Sequence, residues 1–193
     1  MRSPSREASL GNSQFSRRGW CTFNIAIYAN QLSQKQLKAL QNALGAIFDT
    51  AGVGLNFNFS GNADFSLSVV PSGTPVGYSL SGPVQAPLTA GGADPGLNLS
   101  TNTAAVNHGV AFVDRAFSLY GISPNSIQVG AVLGRIGAHE AGHYLLNMLH
   151  NPPAMSGLGG IMDEKVNLLD PNLGFTGGGQ AIQLQNRCQK PHP

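Results

Sequence analysis

The sequence predicts an α+β fold: a small, twisted, mixed sheet backed by one helix, with a second, longer helix alongside. Three observations carry this expectation. Short segments early in the chain alternate polar and apolar residues; a run with helical periodicity separates the first two of them; and an apolar stretch over residues 126–146 is long enough for a deep helix.

The elements follow in order. Residues 1–18 are polar, basic and aperiodic and read as a flexible tail, leaving 19–193 for a single folded domain. Thr22 to Tyr28 (TFNIAIY) alternates as a strand. Ser33 is a candidate N-cap for a helix that sets Leu37, Leu40, Leu44, Ile47 and Phe48 on one face, with Gly52 as its stop. Val53 to Phe59 and Phe65 to Val70 alternate as second and third strands. Pro71 to Asn107 is rich in Gly, Pro, Ser and Thr, with short strand-like pieces at Val76–Leu80 and Leu97–Ser100. Gly109 to Asp114 reads as a further strand, and the apolar helix runs from about Ser126 to Leu146. After an irregular stretch (NPPAMSGLGG), a last short helix is expected beyond Thr176, with Ile182 and Leu184 facing inward.

Composition narrows the function. The chain has 193 residues, 41% apolar, enough for a real core. Only 10% are charged, against roughly 25% in ordinary soluble domains. A formal charge of +2 argues against nucleic acid or an anionic membrane as partner, and no apolar run reaches the ~18 residues of a membrane span. The opening MRSPSREASLGNSQFSRRG lacks the apolar core of a signal peptide. Either a signal has been removed or the protein stays inside; the neutral, Gly- and Ser-rich composition leans towards a secreted or periplasmic monomer. Cys21 and Cys188 have two readings, one disulfide joining the two ends of the domain or two buried thiols.

The chemistry lies in H-E-A-G-H, residues 139–143, late in the long helix. Residues four apart on a helix differ by only about 40° around the axis, so His139 and His143 share a face and can meet one metal ion. Glu140 falls beside the ion, placed to act as a general base. The competing reading, satisfied core histidines, is weakened by the setting, because two imidazoles and a carboxylate in an apolar helix are costly without a metal or partners.

A catalytic zinc takes three protein ligands and keeps one position open. His150 is the leading third candidate. On a continuous helix it would lie roughly 10 Å beyond His143, so the chain must turn first. Asn147 suits that turn because Asn tolerates the left-handed conformation, and Pro152 and Pro153 forbid a resumed helix. The alternative for His150 is an exposed loop histidine. Glu164, 21 residues after His143, is a rival ligand, and Asp163 a weaker one that suits orienting a ligand histidine instead.

These residues, with Gly160-Ile161-Met162, resemble the metzincin clan of zinc peptidases, whose signature is H-E-x-x-H-x-x-G-x-x-H followed by a Met-turn beneath the metal. The chain looks most like compact bacterial metzincin-like proteins. It departs from the signature at one place: the glycine position is shifted by one residue and filled by Asn147, so the third histidine follows the second by seven residues and not six. The resemblance implies a zincin-type fold with an N-terminal lobe over about 19–147 and a short C-terminal lobe over about 148–193. It implies a Zn2+ cofactor held by His139, His143 and His150, with Met162 packed under the metal without ligating it. It also implies an extended peptide or protein substrate paired to an edge strand somewhere in residues 76–100. The expected activity is endopeptidase cleavage through zinc-bound water, with Glu140 as base. A non-catalytic zinc-binding domain used for recognition is the main alternative, and a deformylase- or deaminase-like hydrolase a weaker one. Tyr144 is expected to pack, and His108 and His192 to be incidental.

Overall fold

Ser33 starts the first helix by satisfying an orphaned amide: its hydroxyl accepts from the Gln36 N–H at 3.3 Å, while the Gln36 side-chain oxygen accepts from the Ser33 N–H at 3.0 Å. That reciprocal cap opens α1 in a computed structural model that describes residues 21–58, 62–72, 75–76, 84–85, 96–98, 107–147, 160–163, 166–175 and 179–190. In chain order the elements are β1 (Thr22–Tyr28), α1 (Gln34–Thr50), β2 (Gly54–Asn56), β3 (Phe65–Val70), β4 (Pro75–Val76), β5 (Val84–Gln85), β6 (Gly96–Asn98), β7 (His108–Phe112), α2 (Val113–Tyr120), α3 (Ile127–Leu146) and α4 (Gln180–Cys188). The α+β class is as the alternating and helical periods predict. The expected tail over residues 1–18 lies outside the described residues, as does His192.

Five strands form one sheet in the order β2-β1-β3-β7-β6. Its first four strands run parallel and β6 pairs antiparallel at the edge, Leu97 opposite Val110. β4 and β5 make a separate antiparallel pair. Period-two alternation turns Phe23 and Ile25 of β1, Phe65, Leu67 and Val69 of β3, and Ala111 of β7 into a core shared with Leu40, Leu44, Ile47 and Phe48 of α1. Burying one Leu- or Phe-sized side chain stabilises the fold by roughly 1.5–3 kcal/mol. On β7, His108 is buried away from that core and its Nε2 lies 3.0 Å from the Ser68 hydroxyl.

α3 lies against α1, where Gly130 and Gly134 leave no gap. A Cβ on Gly130 would sit 2.0 Å from the Gln36 carbonyl oxygen, and one on Gly134 would sit 2.4 Å from that of Leu40. Gln36 also bolts the two helix starts together, its Nε2 donating to the carbonyls of Pro124 at 2.7 Å and Ser126 at 3.2 Å.

Three expectations are corrected. The second strand spans only Gly54–Asn56, because the Asn56 side chain then accepts from the Asn58 amide at 3.1 Å and bends the chain. The strand expected through Asp114 stops at Phe112, where α2 begins; Asp114 in its first turn accepts from the amide of Ser72 at 2.6 Å and from its hydroxyl. Ile182 on α4 is 62% exposed, while Gln180, Leu184 and Cys188 are buried, one helical turn apart. Residues two apart on a helix point roughly 200° apart, so Ile182 and Leu184 cannot both face inward. Of the strand-like pieces at 76–80 and 97–100, strand covers Val76 in β4 and Leu97–Asn98 in β6, and the rest lies outside the described residues. The cysteine pair resolves to a disulfide, Cys21–Cys188, which ties β1 to α4.

Candidate functional site

Ser126 caps α3 by accepting from the Gln128 amide at 3.2 Å, and the helix then carries His139, Glu140 and His143 in its last two turns. As the four-residue spacing predicts, the imidazoles come together: their Nε2 atoms lie 3.0 Å apart, with ring planes at 90°. Both rings are half-buried, whereas Glu140 is buried. The backbone of Glu140 reaches the sheet through Gly109 of β7, where a Cβ would meet the Glu140 Cβ at 2.8 Å and the Phe65 ring at 2.7 Å.

The tautomer of His139 follows from its partner. Its Nδ1 lies 2.6 Å from the carbonyl oxygen of Ile161. A carbonyl only accepts, so Nδ1 carries the proton and the neutral ring presents a lone pair at Nε2, towards His143. With that lone pair as acceptor, the Nε2 of His143 is the donor across the 3.0 Å contact. Two nitrogens bound to one tetrahedral zinc at about 2.0–2.1 Å stand roughly 3.3 Å apart, so the pair needs to spread only a few tenths of an ångström to share an ion. By donor chemistry and orientation, His139 and His143 fit zinc.

Beneath the pair, Ile161 and Met162 form a tight turn. The Ile161 amide donates to the Gly174 carbonyl at 2.8 Å and the Asp163 amide to that of Gly160 at 3.2 Å. Met162 is fully buried, and its sulfur fills the space that Gly142 leaves open, 2.2 Å from where a Cβ would stand. Arg135, one turn before His139, donates to the Leu168 carbonyl at 2.9 Å and pins the chain beyond that turn to α3. Burial lowers the Arg135 pKa, with Asp170 pulling the other way. Asp163 is buried as well, but at His139 the orienting acceptor is the Ile161 carbonyl.

Asn147 takes the role its side chain predicts. It caps α3 at φ 49° and ψ 47°, and among the described residues it is the one non-glycine with positive φ. Its amide donates back to the carbonyls of His143 and Tyr144. His150 and Glu164, the competing third ligands, lie outside the described residues; among the described residues, no three His, Cys, Asp or Glu side chains gather around one point. Tyr144 packs as expected, stacked on Phe65 with ring centroids 6.4 Å apart.

Sequence reasoning missed the parts played by Gly109, Gly142 and the Ile161 carbonyl. The glycine inside H-E-A-G-H was a legible signal, since a residue without a side chain between two histidines invites close packing from below. The Ile161 carbonyl carried none, because any residue supplies one. Compared with protein-family models and with curated proteins, the chain matches none.

Proposed function

We propose that this chain is a zinc-dependent endopeptidase of the metzincin type, with His139, His143 and His150 as metal ligands and Glu140 as general base. One observation carries the reading: two helix-borne imidazoles face each other through Nε2 at 3.0 Å, with His139 held in the metal-binding tautomer by the Ile161 carbonyl. Three further features support it. Met162 packs under Gly142 between the two histidines. The left-handed turn at Asn147 lets the chain leave the helix instead of carrying His150 along it. The sheet ends in an antiparallel edge strand, β6, inside the 76–100 region where substrate pairing is expected.

A bound zinc supplies Lewis acidity, polarising the scissile carbonyl and acidifying a water molecule. The chain does the rest. His139 and His143 would hold the ion from one helix face, and the Ile161 carbonyl keeps the His139 ring from turning. Glu140 takes the proton from the attacking water and passes it to the leaving amine. An extended peptide would pair with β6, the last strand of the sheet among the described residues, through main-chain hydrogen bonds. The Cys21–Cys188 disulfide favours an oxidising compartment, and with it secretion or a periplasmic location for a monomeric enzyme.

Cleavage of casein and of a quenched-peptide library tests the reading. Activity should vanish on chelation and return with zinc. Glu140→Ala should lose roughly 10²–10⁴-fold in kcat while keeping its zinc, and His150→Ala should lose zinc itself. Zinc bound without cleavage of any peptide would favour a recognition domain, and full zinc affinity in His150→Ala would remove that residue from the ligand set.

A further inference from the structure

The last carbonyls of a helix have no partner within it, and those of α3 sit just before the turn that decides where the chain goes next. One side chain from a distant element reaches them. Arg187, in the last turn of α4, donates from Nη1 to the Tyr144 carbonyl at 3.1 Å and, more weakly, to that of Leu145 at 3.4 Å. Its guanidinium carbon also lies 4.4 Å from the centroid of the Tyr144 ring. A cation at this position complements the negative end of the helix dipole as well as the carbonyls themselves.

Arg187 is held in place by its neighbours. Cys188 is disulfide-bonded to Cys21 at the start of β1, and the Gln185 side chain donates to the Ala51 carbonyl at 2.7 Å, beyond the end of α1. α4 is thus anchored to β1 and to the end of α1, and from that footing Arg187 reaches the end of α3. Tyr144 shares its carbonyl with the Asn147 amide, at 3.3 Å, so the arginine and the left-handed turn meet at one oxygen.

We infer that Arg187 is a positioning residue for the proposed metal centre: it clamps the end of α3 and so steadies the last turn of the helix, on which His143 sits. It touches neither substrate nor metal and acts through the helix end. The inference rests on the metallopeptidase reading only for the identity of what is positioned; the clamp itself is a separate physical claim.

The test uses the full, oxidised chain and two variants. Arg187→Met keeps the aliphatic stem over Tyr144 and removes the donors and charge; Arg187→Lys restores a charged donor. Amide hydrogen exchange is followed in metal-free protein, and zinc affinity by competition with a chromophoric chelator. In Arg187→Met the Asn147 amide should exchange about tenfold faster while amides of residues 132–138 keep their protection, and zinc should bind about tenfold more weakly, the order expected for a charge-assisted hydrogen bond. Arg187→Lys should recover most of both. Unchanged exchange at Asn147 in Arg187→Met, a lysine variant no better than the methionine, or uniform loss of protection along α3 overturns the clamp. Wild-type protein without zinc affinity overturns the metallopeptidase reading instead, and the exchange measurements alone then decide whether the clamp exists.

Discussion

The two halves of α3 use glycine for different ends. In the first half, Gly130 and Gly134 press against backbone, with the carbonyl oxygens of Gln36 and Leu40 2.0 and 2.4 Å from the positions a Cβ would take. In the second half, Gly137 and Gly142 press against side-chain ends, the Leu67 Cδ2 at 2.6 Å and the Met162 sulfur at 2.2 Å. Each glycine in a helix interior costs about 1 kcal/mol relative to alanine, so four in one helix need a compensating gain. In the first half the gain is helix–helix approach, which builds the core. In the second, Gly137 admits Leu67 of the sheet core and Gly142 makes room for Met162 beside the histidine pair. A carbonyl fixed in a helical hydrogen-bond ladder cannot retreat, whereas a thioether can swing to another rotamer. The same substitution should therefore damage the fold at one end of α3 and the site at the other.

Gly130→Ala should have the largest effect on stability. The added methyl overlaps the Gln36 carbonyl and must push α1 off α3, at a cost of about 3 kcal/mol, the upper end of the overpacking range and only partly offset by alanine's better helix propensity. For a chain of this size, that lowers Tm by roughly 6–12 °C, readable by calorimetry. A Tm within about 2 °C of wild type would mean that the helices slide apart freely, and the contrast between the two halves would collapse.

Gly142→Ala should do less to stability and more to the site. Met162 can vacate the overlap, at about 1–2 kcal/mol, but only by moving out from under the histidine pair. Zinc affinity should fall on the order of tenfold, about 1.4 kcal/mol, with Tm lowered by a few degrees. The double variant Gly142→Ala with Met162→Ala removes the collision and should bind zinc more tightly than the sum of the single effects predicts, a coupling that only contacting residues show. Strict additivity would break the assignment of Met162 as the platform.

Much of α3 was legible in the sequence, and the rest was hidden for identifiable reasons. α3 was readable from end to end because its signals are local: a serine cap, a continuous apolar run and an asparagine able to adopt positive φ. The histidine pair followed from helical spacing alone. α2 was missed because Val110–Val113 reads as strand by propensity. The switch at Val113 depends on Asp114 meeting Ser72, a partner 42 residues away that no local window contains. The inward Ile182 was an avoidable error, since helical geometry already forbids it to share a face with Leu184. The disulfide and the reach of Arg187 to α3 depend on where α4 docks, which spacing does not encode. Local rules therefore gave the histidine pair, and tertiary packing gave the groups that hold its helix in place.

The smallest effect separates the site from the sheet beneath it. Consecutive residues of β7 face opposite ways: Gly109 meets Glu140 on the α3 side, while His108 is buried against Ser68 on the other. Burial holds the His108 imidazole below its ordinary value of 6.5. As pH falls through 6.5, the unfolded chain takes up a proton that the folded chain resists, so unfolding gains. The stability that neutral His108 confers is complete above that pH, drains away down to the folded-state value, and falls no further below it. His108→Gln keeps a hydrogen-bonding partner for Ser68 and cannot titrate. The difference in Tm between wild type and His108→Gln, followed from pH 8 to pH 5 in metal-free protein, should therefore shift in favour of the variant as pH falls. His139 and His143 are common to both proteins and cancel in that difference. A constant difference across the range would mean that burial does not hold His108 below its ordinary value.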